Sequence, residues 1–203
     1  MVCASSAAVY GDSDRRPLGE ATPLRPRSPY GLDELYLEHL WALYASLHGL
    51  EAVALRYFNV FGPRQDPTSP YSGVISIFVD RFQRGETPTI YGDGDQTRDF
   101  VYVGDVVRAN LAAKGGPTRG VQALNVGTGR RVSLNALRTE LAAVLGVTAR
   151  APHAAARPGD IGESQADLAN IRAALGYTPR TWRRSSDAAS GVTDGRAATT
   201  RVL

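Results

Sequence analysis

The chain has 203 residues, 43% hydrophobic and 21% charged, the balance of a globular domain rather than a disordered or fibrous one. The single cysteine, Cys3, excludes an internal disulfide and a four-thiolate zinc site; no apolar run reaches the roughly 20 residues of a membrane span, and Met1 to Gly11 lacks the basic flank of a signal peptide. Residues 1–179 carry 18 Lys+Arg against 18 Asp+Glu, so the net charge of +3 resides in the arginines that follow, and the reading is a reduced, cytoplasmic, soluble protein with neither nucleic acid nor membrane as partner.

Short apolar runs alternate with longer helical stretches, the pattern of an α/β fold. Val2-Cys3-Ala4 leads as a short buried strand into Ser5-Ser6. Pro23, Pro26 and Pro29 hold an irregular loop. Leucines at 32, 35, 40, 43 and 47 mark a helix from Tyr30 to about His48, expected to bury much of its surface, with Gly49 as its stop. Glu51 to Tyr57 reads as the next strand, followed by a Gly62-Pro63 loop. Residues 74–84 form an amphipathic helix, Pro88 to Tyr91 a short strand, and Phe100 to Val103 an extended element. Asp105 is expected to cap a helix over 106–114. Ala123 to Val126 is a strand; Ser133 caps a helix with Leu134, Leu137, Leu141, Val144 and Leu145 on its apolar side. A last helix is expected from about Gln165 to Leu175, stopped by Gly176.

The order of motifs carries more than any one of them. Ser5-Ser6 ends a strand, Tyr30 opens a helix, and RYFNVFGPRQ, IYGDG and TRDFVYV follow. This succession, over about residues 2 to 180, resembles the NAD-dependent epimerase/dehydratase family, extended short-chain dehydrogenases that act on nucleotide sugars. Within that family it is most similar to UDP-glucose 4-epimerases and their UDP-N-acetylglucosamine relatives. The resemblance implies an α/β fold: the C-terminal part of a doubly wound Rossmann-type parallel sheet plus a smaller α/β substrate domain. Residues 1–60 would be the back half of the NAD-binding domain. Residues 61–180 would be mainly the nucleotide-sugar domain, with a returning strand and helix near 100–126. No Gly-rich βαβ turn precedes Ser5, so the N-terminal cofactor-binding half is expected to be missing, leaving a bare strand edge.

The resemblance also implies roles. Such enzymes pass a hydride from sugar to NAD and return it to the other face of a transient 4-keto sugar. Tyr30 matches the base and Ser6 the hydroxyl that bonds the same oxygen, although by themselves they are a helix-start aromatic and a turn residue. The family lysine belongs one turn after the tyrosine, where Glu34 stands. A carboxylate there pushes the phenol the wrong way, and Lys114 lies at the end of a later helix. Activity of this chain is therefore in question, the alternative being an inactive remnant that at most binds nucleotide sugar or dimerises. Ala7-Ala8 stand where dehydratases carry an acid, which favours epimerisation.

Asn59 matches the residue that contacts the nucleotide-sugar diphosphate. Tyr57, assigned to the cofactor, and Phe58 match the nicotinamide and sugar side, or are strand-end core. Arg98 and Arg157 match two phosphate-binding arginines, whose planar forks suit diphosphate oxygens. Asp99 and Asp160 are expected to fix loops. Gly127-Thr128-Gly129 lacks a full phosphate-loop fingerprint and reads as a turn. His39, His48 and His153 have no metal-ligand spacing with one another or with Cys3, so no metal is expected. The expected cofactor is NAD and the expected partners are a UDP-sugar and a second copy through the helix after Tyr30. After Pro179 the run Thr181-Trp182-Arg183-Arg184 replaces the family's Leu-Glu-Glu-Gly-like helix, as loss of one base from CTG-GAG-GAG would produce; a frameshifted or a disordered basic tail over 181–203 are both open.

Overall fold

Residues 1–69, 72–115, 120–157 and 160–180 are described by the computed structural model; the tail at 181–203 lies outside them. The apolar run at the start forms β1 (Val2–Ser6), and Ala52–Tyr57, buried through Arg56, forms β2. With β7 (Val121–Val126) they make a parallel sheet ordered β1-β2-β7, in which Ser6 pairs with Tyr57 and Tyr57 with Val126. The carboxyl ends of the three strands are thus level, the edge at which α/β sheets hold ligands.

A 3-10 turn, Ala7–Tyr10, carries the chain off β1 and ends at Gly11. Gly11 has φ +62°, and a Cβ there would stand 1.9 Å from the Arg25 carbonyl oxygen. Gly11→Ala is therefore expected to cost at least about 2 kcal/mol, read as a lowered urea midpoint with unchanged m-value.

The helix α1 (Pro29–His48) begins one residue before the expected Tyr30, with proline in its first turn and Ser28 Oγ accepting from Gly31 N at 3.1 Å; Gly49 ends it with φ +66°. Its burial departs from expectation. Gly31 is its one buried residue among those described, while Leu32, Leu43 and Leu47 are 58%, 52% and 65% exposed. The leucine spacing fixes which residues share a face but not what covers it: Leu35 packs in part against the core, while Leu32, Leu43 and Leu47 stay exposed.

The second half is built from short pairings. β3 (Asn59–Phe61) runs parallel to β6 (Phe100–Tyr102). β4 (Ile90–Tyr91) is parallel to β9 (His153–Ala154), and β5 (Thr97–Arg98) antiparallel to β8 (Val132–Ser133). Helices α2 (Val74–Gln83) and α4 (Leu134–Leu145) bury Ile75, Phe78, Val79, Phe82, Leu137 and Leu141 against these strands. Ser133 Oγ caps α4 at Ala136 N as predicted, whereas Val144 is 49% exposed.

Two helix starts differ from the sequence reading. α3 spans Val103–Lys114, so Asp105 lies inside its first turn rather than capping it. Its buried carboxylate instead pairs with Arg108 and accepts from Arg180 N, a long-range partner that local capping rules do not register. α5 is Ala169–Leu175, and Gln165 to Leu168 is non-helical. There Gln165 O accepts from Leu18 N at 2.8 Å and Asp167 N donates to Leu18 O at 2.9 Å. That bridge takes backbone groups a helix would have used.

Candidate functional site

Ser6 closes β1, and its Oγ accepts from Ala8 N at 3.1 Å while sharing a hydrogen bond with the Tyr30 phenol. Tyr30 sits in the first turn of α1, half exposed, and also donates to the Glu34 carboxylate one turn on. Burial pushes the phenol above its ordinary value, the Ser6 hydroxyl pulls it back, and Glu34 adds to the rise. Glu34 is itself raised, first by burial, with Glu38 and Asp33 contributing and the Tyr30 hydrogen bond opposing. Tyr30 is thus held as a neutral phenol through neutral pH.

The approach of α1 to the 3-10 turn depends on Gly31, where a Cβ would stand 2.8 Å from the Ala8 carbonyl oxygen. Across the sheet, Tyr57 at the end of β2 is half-buried, and Asn110 Nδ2 of α3 donates to its hydroxyl at 2.9 Å. Phe58 lies in the core beside the Tyr10 ring, the centroids 6.5 Å apart.

Beyond β2 the chain turns into a cleft. Asn59, Arg98 and Arg157, from three separate segments, line one cavity of 310 Å³. Asn59 N donates to Asp99 O at 3.0 Å, which holds β3 beside the Arg98 strand. Arg98 Nη1 donates to Thr97 O at 2.9 Å and to Gly162 O at 3.4 Å; burial lowers its pKa, and Asp160 and Asp12 act against that. Arg157 lies with its guanidinium carbon 3.7 Å from the Tyr91 ring centroid, a cation–π stack at the cavity wall.

Asp99 anchors this arrangement from behind. Its carboxylate, fully buried, accepts from Thr128 N at 2.7 Å, Thr128 Oγ1 at 2.6 Å, Gly129 N at 2.9 Å and Ala166 N at 3.0 Å. One side chain thereby ties the strand carrying Arg98 to the 127–129 turn and to the segment before α5. Sequence reading missed Tyr91 and Gln96 as cavity residues and placed Asp160 only as a loop residue; the aromatic ending a two-residue strand was the available signal for Tyr91. A further cavity, of 370 Å³ and lined partly by Phe61, Leu137, Arg130 and Arg172, contains none of the candidate residues. No helix of the described residues is long and apolar enough to cross a membrane.

Comparison with known proteins follows the same outline. The model of the NAD dependent epimerase/dehydratase family matches residues 1–127. A UDP-glucose 4-epimerase of Mycolicibacterium smegmatis is 38% identical over 176 residues, covering 87% of this chain and 56% of that protein. The structure of Thermotoga maritima UDP-glucose 4-epimerase with UDP-glucose superimposes with TM-score 0.85 at 33% identity, over 99% of this chain and 61% of that one. The complex of Thermus thermophilus UDP-glucose 4-epimerase with NAD gives TM-score 0.81 at 33% identity, over 99% and 61%. The chain thus spans less than two thirds of the length of these relatives.

Proposed function

The chain belongs to the NAD dependent epimerase/dehydratase family, and from that premise we propose that it is the substrate-binding and catalytic part of an NAD-dependent nucleotide-sugar 4-epimerase. The observation that carries this is the convergence of Asn59, Arg98 and Arg157 on one cavity, with Ser6 and Tyr30 at the carboxyl end of the adjoining sheet. The similar Thermotoga protein holds UDP-glucose, which supports a UDP-sugar as substrate. Arg98 and Arg157 face the diphosphate, Asn59 hydrogen-bonds it, and the Tyr91 ring backs Arg157.

The residues present also fit the nicotinamide end of NAD: Ser6 and Tyr30 form an accessible hydroxyl pair, and the Glu34 carboxylate can accept from ribose hydroxyls. Tyr57 completes that wall. When bound, NAD supplies the two-electron acceptor that oxidation of the sugar carbinol to a 4-keto sugar requires. Ser6 donates to the carbinol oxygen, and Tyr30 takes its proton when the phenol is ionised and returns it when neutral. Residues 1–60 and the returning 100–126 region serve the cofactor, and 61–180 mainly the nucleotide sugar. We place the protein in the cytoplasm and as a homodimer, the exposed Leu32, Tyr36, Leu43 and Tyr44 of α1 supporting the latter.

The Tyr30–Glu34 hydrogen bond favours a second reading, a chain that binds nucleotide sugar without turning it over, because it opposes phenolate formation.

Calorimetric titration of the 203-residue chain tests the site. UDP is expected to bind more tightly than uridine, and Arg98→Gln and Arg157→Gln each to weaken UDP by about 10-fold or more, the loss of a charge-assisted hydrogen bond. Equal affinity for UDP and uridine, or none for either, would remove the nucleotide-sugar reading.

A further inference from the structure

The helix that carries Tyr30 is tied to the sheet by a buried ion pair. Of its 20 residues only Gly31 is buried among those described, and Leu35 packs in part against the core. Glu38 is its charged residue turned toward the sheet. Its carboxylate, with the side chain 10% exposed, accepts from Arg56 Nη2 at 2.6 Å and Arg56 Nε at 2.9 Å, and from Ser5 Oγ at 2.5 Å.

Arg56 lies in the middle strand with its side chain 5% exposed. It also donates to Tyr10 Oη at 2.9 Å and to Glu20 O at 3.3 Å, with its guanidinium carbon 5.0 Å from the Tyr10 ring centroid. Tyr10 in turn donates to Asn125 Oδ1 at 2.7 Å on β7, and Asn125 N donates to Glu20 Oε1 at 2.8 Å. The network thus runs from α1 through all three strands of the sheet. Such a fork has directional demands that a leucine contact lacks, so it fixes the rotation of a helix as well as its distance.

Glu38 lies two turns beyond Tyr30, about 12 Å along the axis, and Ser5 precedes Ser6 on β1. We propose that Glu38, gripped by Arg56 and Ser5, is a positioning residue for the Ser6–Tyr30 pair: it sets the seat of α1 so that the Tyr30 phenol meets the Ser6 hydroxyl. The importance for catalysis rests on the reading of that pair as reactive; the geometric coupling does not. The pair's readout is the Tyr30 phenol, whose titration responds to the Ser6 hydrogen bond. Facing it are Ser6 from β1 and Glu34 from its own helix, and Glu38 acts on it by placing the helix.

The test removes the charge pair without leaving either charge buried alone. Glu38→Met combined with Arg56→Met replaces a buried ion pair by apolar groups of similar length, a change that folded proteins tolerate. Near-UV circular dichroism reports the fold of the full chain, and NMR of [13Cζ]-tyrosine, with Tyr30→Phe for assignment, follows the phenol. The double variant is expected to keep the parent spectrum while the Tyr30 midpoint rises by at least about half a pH unit, in the direction expected for Ser6→Ala because the Ser6 hydrogen bond favours the ionised phenol. Glu38→Asp, which keeps the charge for Arg56 but draws the carboxylate back by one methylene, is expected to shift it part of the way. It carries the test if the double variant does not fold. A parent-like Tyr30 midpoint in folded Glu38→Met/Arg56→Met, or in Glu38→Asp, would overturn the proposal. UDP titration of the same variants separates the two readings: if UDP fails to bind the parent, the epimerase assignment falls while the midpoint comparison still decides the role of Glu38.

Discussion

Asp99→Ala is expected to lower stability by about 4 kcal/mol, measured as the loss of urea midpoint at constant m-value. Four donors point at that carboxylate, three backbone amides and the Thr128 hydroxyl, and alanine leaves all four without an acceptor in a buried place. Burial pushes the Asp99 carboxyl upward while these donors pull it down, so the group depends on all of them together. Asp99→Asn separates charge from shape. Its oxygen can still receive both Thr128 bonds, but its amide nitrogen confronts the amides of Gly129 and Ala166, donor against donor. The expected order of stability is parent, then Asn, then Ala, with Thr128→Val costing about 1 kcal/mol. An Asn variant as stable as the parent would show that the charge is idle. The loss should also reach the cleft: Arg98 adjoins Asp99, so UDP affinity is expected to fall in Asp99→Asn even where the fold persists.

Glu34→Lys is expected to bring the Tyr30 midpoint down by about 2 pH units, since a cation replaces an anion one helical turn away. The sign follows from the state each charge favours. In the parent, burial and the Glu34 carboxylate favour the neutral phenol and hold the midpoint above the ordinary tyrosine value. An ammonium at the same place favours phenolate and moves the titration toward neutrality. The same NMR titration reads this, and Glu34→Gln, which removes charge without adding any, should fall between the two. Where turnover of a UDP-sugar is measured with NAD, Glu34→Lys should exceed the parent at pH 7 by about 100-fold, the usual worth of a competent general base. An unmoved midpoint would remove the electrostatic account of position 34.

The parts of the fold that sequence made legible are those decided within a few residues. Ser133 caps a helix, and Gly49 and Gly176 end two others with positive φ, because side chain and backbone meet within one turn. The parts it concealed were settled by distant partners. Asp105 has cap chemistry but is claimed by Arg180, and Gln165 to Leu168 has helical composition but is claimed by Leu18. Arg56 reads as one polar residue in an apolar strand, and its burial is explained by Glu38 eighteen residues earlier together with Tyr10 and the Glu20 carbonyl. The candidate site divides the same way. Asn59, Arg98 and Arg157 are legible only through motif resemblance, since nothing local in two short strands and a loop announces a shared cavity. The opposition between Glu34 and Tyr30 needed only helical spacing, and the structure joins them by a hydrogen bond.

The sheet order has a consequence for synthesis. Among the described residues β1 pairs with β2 and β2 also with β7, with α1 between the first two and β3 to β6, α2 and α3 between the last two. At translation rates of 5–20 residues per second, β1 waits roughly 3 to 10 seconds for β2 to be made, and β2 several seconds more for β7. Parallel pairing across such separations is slow even once the chain is free. The cavity of Asn59, Arg98 and Arg157 comes later still, because Arg157 and Asp160 are among its walls. Within this segment, the residues that close the cavity therefore emerge well after the strand that carries Asn59, by about 5 to 20 seconds at those rates.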